Sequence, residues 1–346
     1  MSTHSPALST VRLGLIGAGR IGRLHARHLA FHIPTAELVA VADVRPEAAE
    51  ACARACHVPH AVADYREVIA RPDVDAVVIC SATHTHVEII EAAAAAGKHI
   101  FCEKPLALHL EEVYRALRAV RAAGVKLQVG FNRRFDANYR RVREAIARGE
   151  IGTPHLLHII SRDPEPPPPE YVRSSGGLFL DMTIHDFDMA RYLIGGEVVE
   201  LYAVAGVRVD PAIGELGDVD TAVVLLSFEN GVFGTIDNSR RAVYGYDQRV
   251  EVFGSDGCIR TENEHPNTAV ISTARAVCRD LPLHFFVNRY TASYLAEMEA
   301  FVEAVREDRP VPVTGEDGLM ALVMGLAACR SLEEKRPVRL AEIVGG

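Results

Sequence analysis

Asp181 and His185 stand four apart in Leu180-Asp181-Met182-Thr183-Ile184-His185-Asp186, a spacing that on a helix brings both side chains to one face. A neutral imidazole is an efficient acceptor for a hydroxyl proton near neutral pH, typically worth ~10²- to 10⁴-fold in rate, and a carboxylate beside it would orient the ring or stabilise its charged form. The pair suits oxidation of an alcohol by hydride transfer, in which the hydroxyl proton must leave. The same residues also fit an acid-rich helix N-terminus, favoured by the helix dipole, with His185 an ordinary polar residue. Spacing alone leaves both readings open. Lys104 sits directly after a strand in Phe101-Cys102-Glu103-Lys104-Pro105, and ligands bind at the carboxyl ends of strands in a parallel sheet. An ammonium there would hold a reacting oxygen and stabilise developing alkoxide charge; a solvated loop lysine is the alternative. Pro105 stiffens this turn and suggests a cis peptide.

A third group of residues points to a cofactor. Gly17-Ala18-Gly19-Arg20-Ile21-Gly22 follows the first strand and opens a helix, and Asp43 ends the second strand 21 residues after Gly22. The glycines permit a tight turn, close backbone approach to a pyrophosphate and close helix–strand packing, while the helix N-terminus offers unsatisfied N–H groups. Asp43 fits the acceptor for a ribose 2′-hydroxyl and would repel a 2′-phosphate, which favours NAD over NADP. Arg45 softens that preference, because a guanidinium accommodates phosphate. A dinucleotide alone does not establish hydride chemistry, since the same fold serves sensors and scaffolds.

These residues need a scaffold, and the chain supplies two patterns. Strands at Val11–Ile16, Leu38–Ala42, Ala76–Cys80, Ile100–Cys102 and Leu127–Val129 alternate with helices at Gly22–Phe31, Glu47–Ala55, His86–Ala96 and Leu110–Ala123. That alternation predicts an α/β Rossmann domain with a parallel sheet over residues 1–130. Past residue 130 comes a helix at Asp136–Arg148, then strands at Leu156–Ile160, Val198–Val204, Ala222–Phe228, Val232–Asp237 and Arg249–Phe253 without regular crossovers, and closing helices at Tyr290–Val305 and Asp317–Glu333. An α+β domain with a mostly antiparallel open sheet is expected over 131–346. Pro166-Pro167-Pro168-Pro169, within Asp163–Glu170, predicts an extended surface loop.

Composition narrows the partners. The 346 residues are 49% apolar and 24% charged, with a formal net charge of −9. A chain of that sign with only short Arg133-Arg134 and Arg140-Arg141 pairs does not suit nucleic acid. Residues 1–10 lack the basic and apolar regions of a leader, and no run reaches the roughly 18 apolar residues of a membrane span. Seven scattered cysteines imply no disulfide framework, and a cytoplasmic protein is expected. Cys52, Cys56, His57 and His60, like His84 and His86, match no zinc spacing, so no metal is expected. His84 and His86 instead lie at the ligand edge of the sheet.

The glycine loop, Ser81-Ala82-Thr83-His84-Thr85-His86, Ala95-Ala96-Gly97-Lys98-His99-Ile100-Phe101-Cys102-Glu103-Lys104-Pro105-Leu106, Gly130-Phe131-Asn132-Arg133-Arg134-Phe135-Asp136 and Ser175-Gly176-Gly177-Leu178 through Asp186 occur in one order. Over nearly its whole length the chain thereby resembles the Gfo/Idh/MocA family of oxidoreductases. The resemblance implies a catalytic group of Lys104, Asp181 and His185, with His185 the proton acceptor and Lys104 at the reacting oxygen. It implies NAD contacts from Gly17, Gly19, Arg20, Ile21, Gly22, Asp43, Ser81, Thr83, His86, Glu103 and Lys104. Substrate contacts are implied for Arg133, Asp163 and Tyr246 as well. The implied reaction is oxidation of a ring hydroxyl carbon of a cyclic polyol, foremost myo-inositol to its 2-keto product. Other sugars served by the same machinery (scyllo-inositol, glucose, xylose, levoglucosan) are the first alternative, and a non-catalytic NAD(H)-binding regulator is the second. By the same resemblance the exposed face of the second domain's sheet pairs subunits in a homotetramer or dimer.

Overall fold

The computed structural model describes residues 9–345; residues 1–8, part of the segment read above for a leader, lie outside them. The chain divides into two compact units: residues 9–132 with 294–320, and residues 133–293 with 321–345. The first unit therefore takes back a segment far along the chain. No helix among the described residues is long and apolar enough to cross a membrane.

The first unit holds six parallel strands, β1 (Val11–Ile16), β2 (Ala36–Ala42), β3 (His60–Val62), β4 (Ala76–Ile79), β5 (His99–Glu103) and β6 (Leu127–Gly130), in the order β3-β2-β1-β4-β5-β6. Between them run α1 (Arg20–Phe31), α2 (Pro46–Ala55), α3 (Tyr65–Ile69), α4 (His86–Ala95) and α5 (Leu110–Ala123). Strands covered on both faces read as continuous apolar runs, and Ala76–Ile79 is buried at every position. Strand order reverses between β1 and β4, and a ligand belongs at such a switch point, beyond the carboxyl ends of the strands. The loops that follow β1 and β4 carry Gly17–Gly22 and Ser81–His86.

The second unit begins with α6 (Ala137–Ala147) and continues with β7 (Pro154–Arg162), α7 (Pro169–Ser175), α8 (Gly177–Asp181), α9 (Thr183–Ile194), β8 (Val198–Gly206), α10 (Pro211–Glu215), β9 (Thr221–Phe228), β10 (Phe233–Ser239), β11 (Asp247–Gly254) and β12 (Gly257–Arg260). A small hairpin, β13 (Val270–Ser272) and β14 (Val277–Arg279), and α11 (Phe286–Arg289) follow. Next, α12 (Thr291–Arg306) leads into the segment that belongs to the first unit, α13 (Gly315–Glu334) leads out of it, and β15 (Val338–Arg339) adds an edge strand to the second unit's sheet. The large sheet is ordered β12-β11-β7-β10-β9-β8-β15, antiparallel except where β10 pairs with β7. In β9 alternate residues Ala222, Val224, Leu226 and Phe228 are buried while Val223 and Leu225 are exposed, the period of a half-buried strand.

Two local expectations change. Pro169 starts α7 rather than ending an extended loop, because a proline at the first helical position gives up only an N–H that no helix bond would use. Asp181 and His185 do not share one uninterrupted helix: α8 ends at Asp181 and α9 begins at Thr183, with Met182 between.

Candidate active site

In the first unit, Gly17 has φ +98°, and a Cβ there would sit 2.6 Å from the Cys80 carbonyl and the Ser81 nitrogen. A Cβ on Gly22 would come within 1.9 Å of the Gly17 oxygen. The loop is thus fused to the β4 loop and to its own helix by contacts that only glycine permits. Gly19 differs: a Cβ on it would meet nothing within 4 Å, and as N-cap of α1 it offers no side chain to the first-turn N–H groups. Arg20 and Ile21 form that first turn. The open space before an uncapped helix N-terminus is the cradle a pyrophosphate requires.

Asp43 is fixed within the same cradle. Its Oδ2 accepts the Ala18 N–H at 2.7 Å and its Oδ1 the Arg45 N–H at 2.9 Å. The Arg45 guanidinium is 3.6 Å away and 63% exposed, so it contributes little to holding the carboxylate. These residues fit a dinucleotide with a free 2′-hydroxyl.

The other loops of this unit are braced from below. The buried His86 ring presents Nδ1 to the Pro105 carbonyl at 2.9 Å and Nε2 to the Ser81 carbonyl at 3.1 Å, tying the Ser81 loop to the Lys104–Pro105 turn, whose peptide is cis. Burial pushes this imidazole below its ordinary value, against the pull of the two carbonyls. Ser81 Oγ meets Thr85 Oγ1 at 2.7 Å, closing the short turn that starts at Thr83. Glu103 pairs through Oε1 with the buried His25 Nε2 at 2.8 Å and packs beneath Gly130, where a Cβ would lie 2.9 Å from its Oε2. His25, Glu103 and Glu297 form the one group with metal-ligand types and spacing among the described residues. Direct bonding of His25 to Glu103 uses the atoms that would face an ion.

The second unit gathers Asp181, Asp163, Arg133 and Tyr246 around α8 and α9. Tyr171, from α7, donates to Asp181 Oδ1 at 2.8 Å, and Arg240 Nη1 donates to Oδ2 at 3.0 Å. Arg240 Nη1 also lies 3.7 Å from Asp163 Oδ2. Burial pushes the Asp163 carboxyl up to about 6, with Arg240 drawing it down and Asp181 raising it. His185 stands partly exposed in the first turn of α9. Its neighbour Asp186 is fully buried, accepting from Arg133 Nη1 at 2.5 Å and from Asn238 Nδ2 at 2.8 Å. Arg133 Nη2 reaches Ser161 Oγ at 3.4 Å and Tyr246 OH at 3.5 Å. Arg133 is therefore enclosed by partners of its own unit, as is Tyr246. Tyr171, Asp186, Asn238 and Arg240 escaped the sequence reading. For Arg240 a signal existed, since the alternation that buries Gly234, Ile236 and Asn238 continues to it.

Comparison with known proteins places these residues in a context. Residues 11–131 match the model of an oxidoreductase family with an NAD-binding Rossmann fold, and residues 139–260 match a Gfo/Idh/MocA C-terminal domain. The chain is 52% identical over 335 residues to a myo-inositol 2-dehydrogenase of Thermotoga maritima, covering 97% of this chain and 100% of that one. It is 49% identical over 333 residues to an inositol 2-dehydrogenase of Rhizobium meliloti, covering 96% and 100%. Among solved structures, a probable dehydrogenase from Thermotoga maritima superposes with a TM-score of 0.95 at 52% identity over 96% of this chain and 100% of that one.

Proposed function

As this chain belongs to the Gfo/Idh/MocA family of NAD-binding oxidoreductases, we propose that it oxidises one ring hydroxyl of a cyclic polyol, myo-inositol at C2, with NAD as hydride acceptor. The observation that carries the reading is the Asp181 carboxylate, buried and gripped through both oxygens by Tyr171 and Arg240 four residues before His185. An acid held so firmly, four residues from a partly exposed imidazole, suits a proton acceptor for an alcohol.

In this mechanism the hydroxyl proton passes to His185 while the ring carbon gives up its hydride, leaving a ketone. Asp181 stabilises the imidazolium that forms. Lys104 donates to the reacting oxygen and stabilises the charge that develops on it. Bound NAD supplies the hydride-accepting carbon at C4 of nicotinamide. Gly17, Gly19, Arg20, Ile21 and Gly22 hold its pyrophosphate, Asp43 its ribose, and Ser81 and Thr83 line the same edge of the sheet. His86 and Glu103 act from beneath, by fixing the two loops. Asp163, Arg133 and Tyr246 select among ring hydroxyls, Arg133 and Tyr246 through the buried network that shapes their end of α9.

The exposed apolar face of the second unit's sheet, with Leu156, Val223, Leu225, Phe233 and Phe253, supports association of copies into a dimer or tetramer. The seven free cysteines support a reducing, cytoplasmic setting. The test is turnover of myo-inositol, scyllo-inositol, glucose, xylose and levoglucosan, each with NAD and NADP. Oxidation of myo-inositol with NAD is expected, and turnover of a sugar but of no inositol would remove the substrate assigned here. Sedimentation of wild type against Phe233→Lys tests the association: loss of the oligomer is expected, and a monomeric wild type would refute it.

A further inference from the structure

Arg240 is buried to 3% side-chain exposure, in a place where a guanidinium is costly unless its charge is answered. Its own N–H donates to the Asp220 carbonyl at 2.8 Å, and two residues on the Ala242 N–H donates to the Asp163 carbonyl at 2.6 Å. The stretch after β10 that carries the cation is therefore pinned to the backbone of Asp163, whose carboxylate lies beside it. Nη1 serves Asp181 at 3.0 Å and Asp163 at 3.7 Å, while the buried Nη2 meets no hydrogen-bond partner among the described residues. Its position is explained by what Nη1 grips.

We propose that Arg240 is a positioning residue of the oxidation, fixing the Asp181 carboxylate from one side as the Tyr171 hydroxyl fixes it from the other. The proposal rests on the reading of Asp181 and His185 as the proton-accepting pair. With one oxygen held by a phenol and the other by a guanidinium, the carboxylate cannot swing, and it offers a fixed partner to the His185 imidazole four residues on. The positive charge also opposes uptake of a proton by the pair. The titratable and charged groups facing Arg240 and Asp181 from the packed elements are Asp163 after β7, Tyr171 on α7, Asp186 on α9, Arg133 before α6 and Asp218 before β9. Of these Asp163 is the competitor for Arg240: when it is ionised it shares the cation, and when it is protonated the cation serves Asp181 alone.

Removing the cation must raise the proton affinity of the pair, whichever member takes the first proton. The experiment follows the His185 imidazole resonance against pH in the NADH-bound enzyme, assigned by its loss in His185→Gln, alongside the acidic limb of kcat/KM. In Arg240→Met both are expected to move to higher pH by about one unit, with NADH affinity unchanged. Arg240→Lys keeps the charge and should return both to within a few tenths of a unit, though with a lower kcat because the fork is gone. Tyr171→Phe removes one hydroxyl from a half-exposed ring and should give a smaller shift in the same direction. A folded Arg240→Met enzyme with an unmoved His185 titration overturns the proposal. Should that variant not fold, an unmoved titration in Tyr171→Phe overturns it instead. A wild-type enzyme that turns over no polyol while its titration still shifts in Arg240→Met would remove the substrate reading and leave the hold on the pair standing.

Discussion

His28 lies on α1, the helix whose N-terminus carries the glycine loop, and is 4% exposed. Burial, with His25 and His32 nearby, pushes its imidazole down to about 4 from an ordinary 6.5, although its bond to the Tyr294 backbone pulls the other way. The folded chain thus binds this proton less tightly than the unfolded chain does. Stability present at neutral pH is lost as pH falls below about 6.5, and the loss levels off near 4. At pH 4.5 the two affinities correspond to a loss of about 2.5 kcal/mol. His28→Phe cannot take up the proton, and gives up one hydrogen bond to the backbone, at a cost of about 1 kcal/mol at any pH. The variant should accordingly be less stable than wild type by ~1 kcal/mol at pH 7.5 and more stable by ~1.5 kcal/mol at pH 4.5. Amide hydrogen exchange in α1 and β1 reads this locally, which avoids treating two units as one transition. If the wild type loses no more protection than His28→Phe between the two pH values, the reasoning is wrong.

Asp163 has the opposite sign. Its raised carboxyl, near 6, favours the folded chain while protonated, and that advantage is lost as pH rises from about 4 through about 6; Asp163→Asn should have a higher Tm than wild type at pH 8 and no advantage at pH 4, by thermal scans in matched buffers. Gly22→Ala forces a methyl to within 1.9 Å of the Gly17 oxygen; the glycine loop must shift, and NADH binding by fluorescence should weaken by about 5- to 150-fold, the equivalent of ~1–3 kcal/mol of overpacking. Unchanged affinity would show that the loop is not the cofactor cradle. Asp43→Asn keeps an acceptor for the Ala18 N–H but removes the negative charge, so the ratio of kcat/KM for NAD over NADP should fall by roughly 30-fold or more, a loss of ~2 kcal/mol of discrimination. A ratio that stays at the wild-type value would take the ribose role away from Asp43.

The parallel sheet was legible because its signals are local. Apolar runs such as Ala76–Ile79, helices closed by Gly97 and Gly124, and the glycine loop each declare themselves within a few residues, and the observed bounds of β1 and α5 coincide with those expected from periodicity. The second unit was harder. Its strands alternate and were found, but the parallel pairing of β10 with β7 depends on residues far apart in sequence. The short helices α7 and α8 hide behind Pro166–Pro169 and the Gly176-Gly177 pair, where propensity argues against helix and tertiary packing decides. Among the candidate site residues, those with a motif around them, Gly17 to Gly22, Asp43 and Lys104, stand out in the sequence. The partners that give Asp181 its geometry do not: Tyr171 and Arg240 lie 10 and 59 positions from it, and a lone tyrosine or an arginine beside another arginine announces nothing until the chain is folded.

The return of residues 294–320 to the dinucleotide unit has a bearing on how this chain is made. Met298, Phe301, Val302 and Val305 from α12 sit in the same apolar cluster as Leu13, Leu15, Val78 and Phe101 of the parallel sheet. A ribosome that has released the first 132 residues has delivered every strand of that sheet but not the side chains that cover one part of it. Domains generally consolidate in order of synthesis, yet here the N-terminal unit must wait, with apolar surface uncovered, while some 160 residues of the other unit emerge. The second unit closes later still, because it takes back residues 321–345 and with them the edge strand β15. Fragments ending near residue 132 should aggregate unless a peptide spanning 294–320 is supplied to them.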